Sequence, residues 1–330
     1  MNQAARLLGI VSLALMLVAP AVQAQDGRGD VVYVPTPQVV VDEMLRMAKV
    51  GAADFIIDLG SGDGRIIITA AKKYGARGFG VDLDTYLLKI ANAAAKKEGV
   101  SDRATFIEQN LFETDLSRAT VITSYLLPEM NQKLRPKLLA LKPGTRVVAH
   151  DYAMGDWGPD EEKTLLVPEK VVGDPGKSYV YSWIIPALAA GRWESQIAVS
   201  GKPVPYQFNL EQNFQLVHGT VRVGDRDIKL PQVRLAGDQI AFKVDVPVAG
   251  KPRSNSTGQS NGASTTSELE RGKPVAHQFR GRISDGAIEG DVTVNDSSGP
   301  RVIPWKAKQT ARGEMKMGAA GTINLAGGNP

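Results

Sequence analysis

Three glycines and two acids stand in one short run, Asp58-Leu59-Gly60-Ser61-Gly62-Asp63-Gly64-Arg65, and a third acid, Asp82, lies 24 positions after the first. Glycines let a backbone turn sharply and approach a ligand with no Cβ in the way. An acid at the end of a second strand can accept both hydroxyls of a ribose. Asp58 and Asp63 flank a space suited to a cationic ligand, since an acid at a helix start repels a pyrophosphate. The run also departs from the nucleotide fingerprints. Arg65 stands where G-x-G-x-x-G needs its last glycine counting from Gly60, Ile67 stands there counting from Gly62, and no G-K-[ST] follows.

The elements that must position these residues alternate. Residues 54–58 read as a strand, 65–74 as a helix, 77–82 as a strand and 85–98 as an Ala- and Lys-rich helix capped by Asp84. Strands at 104–107 and 119–125, a helix at 129–140 and a strand at 145–151 continue the rhythm, which implies a mostly parallel sheet covered by helices. Residues 164–172 and 178–185, joined by Asp174-Pro175-Gly176, read as a closing antiparallel hairpin. After Ala190 the helical period stops. Eight short alternating segments follow, at 192–199, 205–210, 214–223, 233–235, 239–246, 277–283, 287–294 and 303–308, and predict a small β-barrel or sandwich with Trp193 and Trp305 facing inward. The Ser/Gly/Thr/Asn-rich tract at 250–272 is expected to be a disordered loop.

Composition bounds the rest. The 330 residues suffice for about two domains, divided here into 25–186 and 187–330. Lys+Arg 39 against Asp+Glu 35 gives +4, without the concentrated basic patch of a nucleic-acid binder. Cys 0 excludes thiolate metal sites and cysteine nucleophiles, and three dispersed histidines predict no metal site. Residues 1–24 read as a secretory signal peptide, with Arg6, the apolar run Leu7–Ala19 and Val22-Gln23-Ala24 before the cut. The chain is therefore expected to be secreted or periplasmic, with no transmembrane segment after cleavage. The alternative is an anchor formed by an uncleaved N-terminus.

The constellation DLGSGDGR followed by GVDLD resembles the class I, seven-strand S-adenosylmethionine-dependent methyltransferases over roughly residues 30–186. The Tyr33-Val34-Pro35-Thr36-Pro37 segment, Tyr125-Leu126-Leu127-Pro128 and His150-Asp151-Tyr152 are similar to bacterial relatives of the mitochondrial lysine methyltransferases, which modify the ATP synthase c-subunit and the adenine nucleotide translocase. The resemblance implies a Rossmann-like seven-strand sheet with an antiparallel closing hairpin. It implies S-adenosylmethionine held by Thr36, Asp58, Gly60, Ser61, Gly62, Asp63, Asp82 and Asn110, the last standing where the family usually has Asp. It also implies N-methylation of a protein lysine.

Methyl transfer from a sulfonium asks a protein for alignment and desolvation more than for covalent chemistry. The acceptor belongs at the C-terminal ends of the fourth and fifth strands. Tyr125 there can orient an amine, and His150 or Asp151 can accept a proton. The absence of a Pro-Pro-Tyr signature after the fourth strand argues against adenine as acceptor. The competing expectation is an exported, non-catalytic binding protein whose Gly191-Arg192-Trp193 start is like that of a lipocalin barrel, with a small ligand or an envelope partner.

Overall fold

A computed structural model describes residues 32–199, 202–247, 274–296, 299–318 and 322–323. The signal peptide expected at 1–24 and the loop expected at 250–272 lie outside the described residues. The first half contains α1 (Gln38–Met47), β1 (Phe55–Leu59), α2 (Arg65–Tyr74), β2 (Arg77–Asp82), α3 (Thr85–Lys97), β3 (Ala104–Glu108), β4 (Val121–Ser124), α4 (Pro128–Leu139), β5 (Arg146–His150), β6 (Glu161–Leu166) and β7 (Lys177–Ile184). Its seven strands form one sheet in the order β3-β2-β1-β4-β5-β7-β6. β1 to β5 run parallel, while β7 pairs antiparallel with both β5 and β6.

Successive residues of a strand point to opposite faces, and a parallel sheet must bury both. Ile56, Val121, Val148 and Val180 meet α1, α2 and α3 on one face. Ile57, Ile122, Val147 and Trp183 meet α4 on the other. Order reverses between β1 and β4, so the strand ends there open a crevice, the usual place for a ligand in such sheets. Asp84 caps α3, accepting from the amides of Tyr86 and Leu87. The hairpin corrects one expectation. β6 ends at Leu166, before Pro168, and residues 167–176 form a loop on the crevice side.

The second half is β8 (Gly191–Val199), β9 (Lys202–Asn213), β10 (Leu216–Val223), β11 (Arg226–Ala236), β12 (Gln239–Val246), β13 (Val275–Ser284), β14 (Ala287–Asp296) and β15 (Gly299–Arg312), followed by β16 (Met315–Lys316) and β17 (Thr322–Ile323). Each of β8 to β15 pairs antiparallel with the next, and β15 returns to β8. The ring is thus a closed eight-stranded up-and-down barrel, which settles the choice between barrel and sandwich. Eight strands leave an interior that side chains can fill or a small ligand can occupy. Here Trp193, Tyr206, Phe208, Phe242, Phe279 and Trp305 fill it. Phe242 stacks on Phe279 at 4.8 Å, and Trp305 meets Phe279 edge-on at 4.9 Å. The lipocalin-like expectation of an internal ligand space is corrected by this packing.

The barrel also closes the sheet. Its β9–β10 turn places Phe214 against Trp157, with ring centroids 5.7 Å apart and planes within 14°. Gln215 accepts from the Trp157 indole at 2.9 Å and donates to the Gly158 carbonyl at 2.7 Å. Gln212, almost fully buried, binds the amides of Ala189 and Ala190 and the carbonyls of Ala187 and Phe214.

Candidate active site

The glycine run leaves β1 at the reversal of strand order and enters α2. Gly60, Gly62 and Gly64 have φ of 77°, 52° and 78°, the left-handed region that side chains disfavour. At Gly64 a Cβ would lie 2.4 Å from the Phe106 ring, and at Gly62 2.3 Å from the Tyr33 ring, so the space above the turn is shared with the N-terminal segment. The amides of Gly60 and Ser61 donate to the Val81 carbonyl at the end of β2. Asp82 completes the brace, accepting from the Gly62 amide at 2.8 Å and the Asp84 amide at 3.0 Å. A carboxylate has room for further donors beyond those two. Leu83 and Ile107, exposed at adjacent strand ends, form an apolar shoulder beside it.

The acids around the turn differ in their states. Asp58 is wholly buried beside β4 and accepts from the Thr123 hydroxyl at 2.7 Å. Burial pushes its carboxyl up to about 7, and the charges of Asp82 and Asp63 add to that rise. Asp63 is clasped by Arg65, with Nη2 at 2.6 Å and Nε at 2.9 Å, which outweighs burial and holds it below the usual carboxylate range. Of the two acids expected to flank a cationic ligand, one is thus buried and the other is paired with Arg65. Arg65 also donates to the Thr36 carbonyl at 2.8 Å, pinning the N-terminal segment to the turn. Tyr33, raised to about 12 by burial and by Asp63, lies over the same turn. The Thr36 hydroxyl expected to face the cofactor instead meets His150 Nδ1 at 3.2 Å. Asn110 uses its side-chain oxygen to accept from the Phe112 amide at 3.0 Å, starting the turn after β3.

A second cluster sits where β4 and β5 end. The Tyr125 hydroxyl donates to Asp151 Oδ2 at 3.0 Å. Burial first, and then Asp151, raise the Tyr125 phenol far above its ordinary value, so it keeps its proton. Asp151 Oδ1 accepts from the Tyr179 amide at 3.0 Å, and Oδ2 pairs with Lys170 Nζ at 2.6 Å. Asp151 holds a φ of 60°, uncommon for a residue with a side chain and frequent where function fixes geometry. His150 lies beneath Tyr125, 4.0 Å between ring centroids, with no exposed surface. Its Nε2 meets the Ser178 hydroxyl at 3.1 Å, and burial lowers it to about 4, so the ring is neutral. His150 therefore does not reach an acceptor as expected; it supports Tyr125 from below.

The residues at the turn fit S-adenosylmethionine. They offer a cradle that a Cβ would fill, an acid at the end of β2, and the Ser61 hydroxyl, buried without a hydrogen-bond partner in the protein. Sequence reasoning missed Lys170, Leu83 and Ile107, and named Tyr33 only as part of its segment and not as a site residue. Of these, only the exposed apolar residues at strand ends gave a local signal. Among the described residues no cluster of metal-ligating side chains occurs, and no helix is long and apolar enough to cross a membrane.

Comparison with known proteins finds relatives of the first half of the chain. Residues 58–161 match the family model of the ANTKMT methyltransferase domain. A protein-lysine N-methyltransferase of Saccharolobus islandicus is 49% identical over 131 residues, covering 39% of this chain and 81% of that protein. The adenine nucleotide translocase lysine N-methyltransferase of Mus musculus is 30% identical over 154 residues, covering 46% of this chain and 66% of that protein. An RNA methyltransferase from Salinibacter ruber, solved with S-adenosyl-L-homocysteine, is 50% identical with a TM-score of 0.42, covering 46% of this chain and 94% of that one.

Proposed function

The chain belongs to the S-adenosylmethionine-dependent methyltransferases of the ANTKMT type, and on that footing we propose that it methylates the ε-amine of a lysine in a protein substrate. The observation that carries the amine is the state of Tyr125. Its hydroxyl proton is committed to Asp151, so the phenol oxygen offers lone pairs at the open ends of β4 and β5. An amine donates an N–H to such an oxygen and keeps its own lone pair free for attack.

The turn from Gly60 to Gly64, the Ser61 hydroxyl and Asp82 would hold the cofactor. When bound, S-adenosylmethionine supplies a methyl group on a sulfonium, a leaving group already in place. Tyr125 orients the incoming amine, and Leu126 and the half-buried rim keep water from competing. Asp151 is engaged by three donors and His150 is enclosed, so neither is free as a base. The acceptor sheds its proton to water and arrives neutral.

The test is methyl transfer from labelled S-adenosylmethionine to the peptide acetyl-Ala-Lys-Ala-amide and to RNA, with binding of S-adenosylhomocysteine followed by calorimetry. Methyl-lysine formation, lost together with cofactor binding in a folded Asp82→Ala variant, is expected. Transfer to RNA alone, or undiminished binding by Asp82→Ala, refutes the reading.

A further inference from the structure

Lys170 is almost completely buried in the loop between β6 and β7, next to Val171, which is 80% exposed. The loop is built to hold it. Its amide donates to the Val167 carbonyl at 2.9 Å, and its carbonyl accepts from the Gly176 amide at 3.0 Å. Its ammonium meets two oxygens, Asp151 Oδ2 at 2.6 Å and the Lys177 carbonyl. At Gly173, with φ of 77°, a Cβ would lie 3.6 Å from both the same ammonium and the same carboxylate. Taking an ion pair out of water is expensive, and an apolar pair of similar volume often serves stability as well. This pair stands one hydrogen bond from the acceptor side of the site.

We propose that Lys170 is a positioning residue that sets the direction of the hydrogen bond between Tyr125 and Asp151, and through it keeps the Tyr125 oxygen an acceptor for the substrate amine. The inference rests on the lysine-methylation reading above. The groups facing the Asp151 carboxylate are Tyr125, the Tyr179 amide, His150 and Lys170. Among the described residues paired with it, Lys170 alone brings a positive charge, because His150 is neutral. With the ammonium present, Asp151 is a pure acceptor and takes the Tyr125 proton. Without it, a carboxylate buried beside a phenol takes up a proton and becomes a donor. The Tyr125 hydroxyl is then free to turn toward the acceptor nitrogen and occupy the lone pair that must attack.

The experiment compares the full chain with Lys170→Met and Lys170→Arg near neutral pH. Infrared spectra read protonated carboxyl groups, calorimetry reads S-adenosylhomocysteine binding, and steady-state kinetics use acetyl-Ala-Lys-Ala-amide. Lys170→Met is expected to gain a protonated-carboxyl band that disappears on adding Asp151→Asn, and to bind S-adenosylhomocysteine normally. It should lose about tenfold or more in kcat with KM for the peptide little changed. Lys170→Arg keeps the charge and is expected to restore both the spectrum and most of kcat. Lys170→Gln carries the same comparison if Lys170→Met does not fold. An active parent chain whose Lys170→Met variant matches it, in band or in kcat, overturns the positioning role alone. A parent chain that binds S-adenosylhomocysteine but never methylates an amine overturns the lysine reading and the role with it.

Discussion

Asp58→Asn isolates the electrostatics of the turn. In the folded chain the Asp58 carboxyl is raised from 3.8 to about 7, with burial as the leading cause. In the unfolded chain it returns to about 4. The sign follows from linkage. Below about pH 4 both states hold the proton and the group's full stabilisation is present. As pH rises toward 7 the unfolded state releases its proton while the folded state retains it, so stability falls, and above about 7 the loss is complete. A shift of about three units is a ceiling of about 4 kcal/mol at 1.36 kcal/mol per unit. Asparagine keeps an oxygen for the Thr123 hydroxyl and cannot ionise. The stability of Asp58→Asn minus that of the parent should therefore climb by about 2–4 kcal/mol between acid and mildly alkaline pH. Urea unfolding across that range measures both curves, and titrations common to the two proteins cancel in the difference. Parallel curves, or a difference that falls with pH, would refute the argument that a buried, protonated Asp58 underlies the turn.

Two further outcomes follow from other contacts. Tyr125→Phe removes the hydroxyl that donates to Asp151, the oxygen proposed above to receive the amine, and leaves the cofactor turn intact, so kcat should drop by about tenfold or more with S-adenosylhomocysteine binding unchanged by calorimetry. Phe214→Ala empties the ring stacked on Trp157 and should cost about 3–5 kcal/mol in denaturant unfolding, with a change in tryptophan fluorescence reporting the exposed indole.

Much of this fold can be read from local pattern. The alternation of strands and helices from residue 54 to 151 follows from periods that each segment carries by itself, and the Asp84 cap needs only its own neighbours. β6 escaped because it is a nearly fully exposed edge strand. Its Glu161-Glu162-Lys163 start reads as a polar loop, while the apolar residues after Leu166 imitate a strand. Closure of the barrel escaped for another reason. The pairing of β15 with β8 joins segments more than a hundred residues apart, and no alternation within either strand encodes it. The cofactor turn was legible because its glycines and acids are contiguous. The state of its acids was not fully so: Arg65 clasps Asp63 two positions away, but Thr123 and burial act on Asp58 only once β1 lies beside β4. Lys170 and the partners of His150, which are Thr36 and Ser178, meet only through tertiary structure.

The barrel's position bears on the segment that leaves β5 as well as on stability. The sheet carries apolar residues on both faces, as in Ile56 and Ile57 or Val147 and Val148, so both faces require cover. Helices α1, α2 and α3 serve one face. On the other, α4 packs over the middle of the sheet, and the area over β5 and β7 is sealed by Trp157, Trp183, Phe214 and Met315, the last two supplied by the barrel region. The segment from Asp151 to Trp157 runs between these covers. Asn131 of α4 holds the Tyr152 carbonyl at 3.0 Å, and Arg135 holds the Met154 carbonyl at 3.1 Å and pairs with Asp156. Gln215 and Phe214 hold Trp157 from the barrel side. Asp151, in its left-handed conformation, is the first residue of that clamped segment. The barrel is thus mechanically connected to the carboxylate that orients Tyr125. Seven residues of backbone, from Asp151 to Trp157, join that carboxylate to the indole that the β9–β10 turn holds.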